Sequence, residues 1–122
     1  MLEKRVLLVD DDSVGLDIMR ELLQDKYILK LAHNGEEALD LAREFKPNLV
    51  VLDVIMPGID GFAVSRSLRK TDPSGKIKFF FVSANEPNLE NLIEISKYGY
   101  GFLLKPFDPD DFDNQVKGML AL

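Results

Sequence analysis

Residues 6–12 read Val6-Leu7-Leu8-Val9-Asp10-Asp11-Asp12, four apolar side chains running straight into three acids. An unbroken apolar run suits a strand buried on both faces, as in a parallel sheet covered by helices, better than a half-exposed strand that alternates. The three acids pose a separate question. Adjacent carboxylates repel and make one another harder to ionise, so they belong either in open water or around something positive.

The same kind of run recurs along the chain at Leu49 to Leu52, Phe79 to Val82 and Phe102 to Leu104, with a weaker strand from Ile28 to Ala32. Between these runs the apolar residues take helical spacing: Val14, Ile18 and Leu22; Ala38, Ala42 and Phe45; Leu89, Leu92, Ile93 and Ser96; Phe112, Val116 and Leu120. These spacings predict one-sided helices, and a weaker helix is predicted from about Asp60 to Lys70. Five strand–helix repeats imply an α/β fold with a parallel sheet between two helical layers. Ser13 and Asn34 stand where N-caps are expected, and Asp108-Pro109-Asp110-Asp111 supplies a cap, a first-turn proline and first-turn acids. Lys46-Pro47-Asn48, Met56-Pro57-Gly58 and Asp72-Pro73-Ser74-Gly75 punctuate the pattern as turns. A chain of 122 residues with no linker or internal repeat is expected to be one domain, residues 1–122, large enough to bury about two-thirds of its unfolded surface.

Composition removes several classes. There is no cysteine, so disulfides and thiolate metal sites are excluded and a reducing, cytoplasmic setting is expected. Fifteen basic against 21 acidic residues leave a net charge of −6, which argues against direct binding to nucleic acid or an anionic membrane surface. The apolar runs fall far short of the ~20 residues that cross a bilayer.

Polar side chains stand at the carboxyl ends of four runs: Asp10 and Asp11, then Asp53, Ser83 and Lys105. In open parallel sheets that edge is where ligands bind. Three carboxylates, a hydroxyl and an ammonium at one edge suit a hard divalent cation such as magnesium together with a phosphoryl group. Asp12 fits the helix that follows, as an acid at its positive end. His33 reads as a surface residue, and Phe79, Phe80 and Phe81 read as core.

Taken in order, Val9-Asp10-Asp11, Asp53-Val54-Ile55-Met56-Pro57-Gly58-Ile59-Asp60-Gly61, Ser83-Ala84 and Leu104-Lys105-Pro106-Phe107 resemble the receiver domain of two-component response regulators over the whole chain. The resemblance implies a flavodoxin-like, doubly wound (βα)5 fold with strand order 2-1-3-4-5. It implies that Asp53 accepts a phosphoryl group from a phosphohistidine of a sensor kinase or phosphotransfer protein. Magnesium (Mg2+) would be held by Asp10, Asp11, Asp53 and the backbone carbonyl of Ile55, with Lys105 and Ser83 on the phosphoryl oxygens. The family's switch pairs Ser83 with an aromatic residue three positions before the lysine, here Phe102, where relatives mostly carry tyrosine. Ile55 and Asn85 would influence how long the phosphoryl group lasts.

The resemblance further implies a cis Lys105–Pro106 bond and an output face on the fourth helix, fifth strand and fifth helix, in a monomer or a weak phosphorylation-dependent dimer. Lys97-Tyr98-Gly99-Tyr100-Gly101 departs from the family pattern, and its two glycines suggest a mobile end to the fourth helix. The alternative is a degenerate receiver that acts as a scaffold without phosphorylation. An aspartyl phosphatase of the haloacid dehalogenase type needs a second aspartate where Ile55 stands. A flavodoxin needs a phosphate loop where the acids stand.

Overall fold

The computed structural model describes residues 3–72 and 74–121. Pro73, in the breaker after the third helix, lies outside them. The described elements alternate strictly: β1 Arg5–Val9, α1 Ser13–Leu23, β2 Ile28–Ala32, α2 Gly35–Phe45, β3 Leu49–Asp53, α3 Gly61–Thr71, β4 Lys78–Ser83, α4 Leu89–Tyr98, β5 Gly101–Leu104 and α5 Pro109–Leu120. All strand pairs are parallel, and the sheet order is β2-β1-β3-β4-β5. This is the doubly wound order that the resemblance implies.

The unbroken apolar runs are buried on both sheet faces because successive side chains point opposite ways. Val6 and Leu8 meet Leu16, Met19 and Leu23 of α1 and Phe112 and Val116 of α5 on one face. Leu7 and Val9 meet Ala38 and Ala42 of α2 and Phe62, Val64 and Leu68 of α3 on the other. The phenylalanine triplet divides between the layers: Phe80 packs tilted against Phe112, whereas Phe81 stacks on Phe62 with ring centroids 4.2 Å apart. Full burial of each such ring contributes about 2–3 kcal/mol. β2 alternates because it is an edge strand.

Two helix faces differ from the sequence expectation. In α1 the buried residues are Leu16, Met19 and Leu23, while Val14 and Ile18 are exposed. In α4 no residue is fully buried, and Leu89, Leu92 and Ile93 are 72%, 49% and 58% exposed. Both helices have apolar residues on more than one side, so periodicity finds the helix without choosing its inner face. The cap of α1 also shifts by one residue. Asp12, not Ser13, is the N-cap, its carboxylate accepting from the Val14 N–H at 3.2 Å. Asn34, Asp60, Asn88 and Asp108 cap the other helices. Gly99, with φ of +68°, closes α4 in the left-handed conformation, and its N–H and that of Tyr100 both donate to the Ile95 carbonyl. Of the two glycines, Gly99 supplies this cap and Gly101 opens β5.

Candidate functional site

Parallel pairing brings the carboxyl ends of β1, β3, β4 and β5 to one edge. Val9 pairs with Leu52, Asp53 with Val82, and Ser83 with Leu104. The residues next in line, Asp10, Asp53, Ser83 and Lys105, therefore converge without any long loop having to place them.

Asp10 is fully buried, and its Oδ2 accepts from the Lys105 ammonium at 2.8 Å. Its Oδ1 accepts from the Asp12 N–H at 3.0 Å, which orients the carboxylate toward the site. Asp53 is 14% exposed; its Oδ2 accepts from Lys105 at 3.2 Å and its Oδ1 from the Ile55 N–H at 3.3 Å. One oxygen from each of Asp10, Asp11 and Asp53 lies within 4.8 Å of the other two. Oxygens facing one another across an octahedral magnesium shell are roughly 4 Å apart, so the cluster is close to the span such a cation requires, with hard oxygen donors only. Asp11 is the exposed member and opens the cluster to solvent.

One ammonium serves two carboxylates, so the site keeps an excess of negative charge. Burial pushes the Asp53 carboxyl above its ordinary value; the charge and hydrogen bond of Lys105 pull it only part of the way back, and the negative Asp10 adds to the rise. Burial opposes the charge on Lys105, but its hydrogen bonds to Asp10 and Asp53 and their charges outweigh that effect, so its pKa stands above the ordinary lysine value.

Ser83 is buried at the end of β4, and its Oγ accepts from the Asn85 N–H at 3.2 Å. Its carbonyl accepts from the Lys105 N–H at 2.8 Å, which ties the two strand ends together. The Lys105–Pro106 peptide bond is cis. Ile55 presents an exposed side chain, 57% accessible, at the site's rim. Gly58 adopts φ of +82°, which disfavours a side chain, and a Cβ on Gly61 would collide with the Asp53 backbone carbonyl. Phe102 is part-buried against the core cluster of α2 and α3 rather than free in solvent. His33 is exposed and contacts Glu37.

Sequence reading missed a second polar group between α3 and α4. Arg66 clamps Glu94 with two hydrogen bonds, 2.8 and 3.2 Å, and Arg69 approaches the same carboxylate at 3.7 Å. Arg69 also covers the Tyr98 ring at 3.8 Å and donates to the Tyr100 hydroxyl. These partners are 25 to 31 residues apart in sequence, and only the placement of α4 beside α3 joins them.

A family model described as the response regulator receiver domain matches residues 6–117. The chain belongs to this family. A probable transcriptional regulator, ycf29 of Porphyra purpurea, is 34% identical over 116 residues, which cover 94% of this chain and 56% of that protein. The chemotaxis protein CheY4 of Vibrio cholerae superposes with a TM-score of 0.86 at 27% identity, covering 97% of this chain and 99% of that one. The response regulator protein TrrA of Thermotoga maritima, solved in complex with Mg2+–BeF, superposes with a TM-score of 0.79 at 31% identity, covering 95% and 98%. The receiver spans about half the length of the curated relatives it matches. Its place is in two-component signalling. Among the described residues no helix is long and apolar enough to cross a membrane.

Proposed function

We propose that this receiver accepts a phosphoryl group on Asp53 from a phosphohistidine of a sensor kinase or phosphotransfer protein, with magnesium, in the cytoplasm. The observation that carries the reading is the cluster of Asp10, Asp11 and Asp53 with Lys105 bonded to two of its three members. An Asp53 carboxylate oxygen attacks the phosphorus in line; the new P–O bond forms as the P–N bond breaks, and the electron pair leaves with the imidazole. The higher the Asp53 pKa, the more nucleophilic the ionised form, and burial moves it in that direction.

Asp10, Asp11, Asp53 and the Ile55 carbonyl would hold the ion, which when bound supplies charge neutralisation of the phosphoryl oxygens. Lys105, already aimed at Asp53 Oδ2, is positioned to follow that charge onto the transferred group as a point charge. Ser83 would donate its hydroxyl to another phosphoryl oxygen; the contact with the Asn85 N–H uses an Oγ lone pair and leaves that proton available. Phe102 would then repack, by packing alone since it lacks a hydroxyl. The donor protein's helix would find apolar ground beside the site at Val14, Ile18 and Ile55, all exposed.

Incubation with a small phosphodonor and magnesium is expected to add one phosphoryl mass to the protein and none to Asp53→Asn. Equal labelling of the variant would refute the assignment of Asp53, and no labelling of either would favour a scaffold that works without phosphorylation.

A further inference from the structure

The parallel pairing that gathers acids at the carboxyl edge of the sheet gathers bases at the amino edge, where the chain enters β1, β3 and β4. There a cavity of about 500 Å3 opens between the ends of α2 and α3, lined by Arg5, Arg43, Lys46 and Lys76. Asp72, the one acid in the lining, is turned to its own loop. One of its carboxylate oxygens accepts from the Ser74 hydroxyl at 2.6 Å and the other from the Ile77 N–H at 2.8 Å. Among the described residues Arg20, Arg66 and Arg69 stand in ion pairs with carboxylates. The chain's other two arginines, Arg5 and Arg43, do not, and both line this cavity.

Bases at the carboxyl end of a helix offset its dipole, which accounts for Arg43 and Lys46 at the end of α2 but not for Arg5 on β1 or Lys76 ahead of β4. Arg5 is also held in place. Its Nε donates to the Lys46 carbonyl at 3.2 Å and its backbone N–H to the Asn48 side chain at 2.8 Å, which leaves the two terminal amino groups of the guanidinium for a further acceptor. The floor is apolar: Pro47 is buried, Leu68 is 4% exposed and Ile77 is part-buried. From this lining we infer that the cavity binds a nucleoside diphosphate. The guanidinium and ammonium groups would take the oxygens of two adjacent phosphates, the guanidinium through paired N–H donors, and the apolar floor would take the flat base. Four cations beside a carboxylate that is already satisfied call for more negative charge than one carboxylate brings, and the floor calls for an organic body that inorganic phosphate lacks. The volume falls in the ordinary range of small-molecule sites, roughly 300–1,000 Å3. The cavity lies at the opposite edge of the sheet from Asp53, so the inference stands apart from the phosphoryl reading.

The test is isothermal titration calorimetry of the 122-residue chain with ADP, pyrophosphate and adenosine, in EDTA so that no magnesium bridges phosphate to the acidic edge. ADP is expected to bind at least about tenfold more tightly than either fragment, since each fragment loses one half of the contacts. The pair Arg43→Gln with Lys76→Gln, both exposed in the free protein, should weaken ADP binding by about tenfold or more. The pair Lys30→Gln with Lys97→Gln removes the same charge away from the cavity and should leave the affinity unchanged, as should Asp53→Asn. Absence of ADP binding overturns the inference, and so does pyrophosphate that binds as tightly as ADP, because the apolar floor would then contribute nothing. Equal weakening by the two cationic pairs would reduce the effect to general charge and overturn it as well. A changed affinity in Asp53→Asn would move the ligand to the acidic edge, with the same result.

Discussion

The Lys105 ammonium lies 2.8 Å from Asp10, a fully buried carboxylate 95 residues away in the chain, and bonds Asp53 less closely at 3.2 Å. The lysine is therefore first a counter-ion for the strand end of β1 and only second a partner of the proposed phosphoacceptor. This order suits the proposed transfer, in which Lys105 would leave Asp53 for the phosphoryl group and stay paired with Asp10.

Lys105→Met removes the cation and leaves two carboxylates facing each other. We expect a loss of about 1–3 kcal/mol, below the largest values for broken buried pairs because Lys105 is partly solvated. The pH dependence follows from the raised pKa. A lysine that holds its proton more tightly when folded contributes fully below its unfolded value, about 10.4, and the contribution fades as pH rises through the higher folded value. Urea midpoints of wild type and variant should differ by a constant amount at neutral pH and converge in strong alkali. A gap that widens with alkalinity would contradict the pairing.

The acidic cluster makes a second prediction, because a cation that screens Asp10, Asp11 and Asp53 from one another binds the folded state alone. At ten times its dissociation constant such a ligand stabilises by about 1.4 kcal/mol. Millimolar magnesium should therefore raise the melting temperature, and Asp11→Ala should lose the rise. Wild-type melting curves that coincide with and without the ion would remove the metal site from the reading.

Much of this site was legible because β-sheet geometry does the placing. Once Val6–Val9, Leu49–Leu52, Phe79–Val82 and Phe102–Leu104 are parallel neighbours, the residues that end them must meet, and Asp10, Asp53, Ser83 and Lys105 do. The helix faces were less legible. A stripe of Val14, Ile18 and Leu22 and a stripe of Leu16, Met19 and Leu23 satisfy the same 3.6-residue period in α1, and only packing against β1 selects the second. In α4 the apolar stripe faces solvent because Glu94 has a bidentate arginine partner inside, and no local pattern announces a partner 28 residues away. The cap moved from Ser13 to Asp12 because Asp12 has extended backbone and its carboxylate reaches the Val14 N–H.

Gly61 tests how tightly the loop after β3 is built. Its N–H donates to the Val54 carbonyl at 2.9 Å, and a Cβ there would meet the Asp53 carbonyl, a backbone atom that cannot rotate aside. Gly61→Ala should destabilise by roughly 2–4 kcal/mol, the range of overpacked or strained sites, and should slow phosphodonor labelling by shifting Asp53. Gly118→Ala on α5, where a Cβ meets open space, should stabilise by up to about 1 kcal/mol through helix propensity. Chemical denaturation of the two variants gives the contrast directly, and similar effects would refute the close approach at Gly61.

Helix α4 buries no residue fully, so its attachment depends unusually on Arg66, Arg69, Glu94 and the tyrosines of the following turn. A bidentate arginine–carboxylate pair with the carboxylate 13% exposed is stronger than a surface ion pair but still solvated on the arginine side, which places its contribution near 1–2 kcal/mol. Glu94→Ala should act locally. Amide exchange across Leu89–Tyr98 should accelerate by about tenfold or more, since regions with few buried contacts open separately from the core, while β1 and β3 amides keep their protection. Arg66→Ala should reproduce the pattern, and the double variant should add little, because each single change already breaks the same contact. If both singles instead lowered core protection uniformly, the clamp would be part of global stability and α4 would not open separately from the core as its lack of fully buried residues implies.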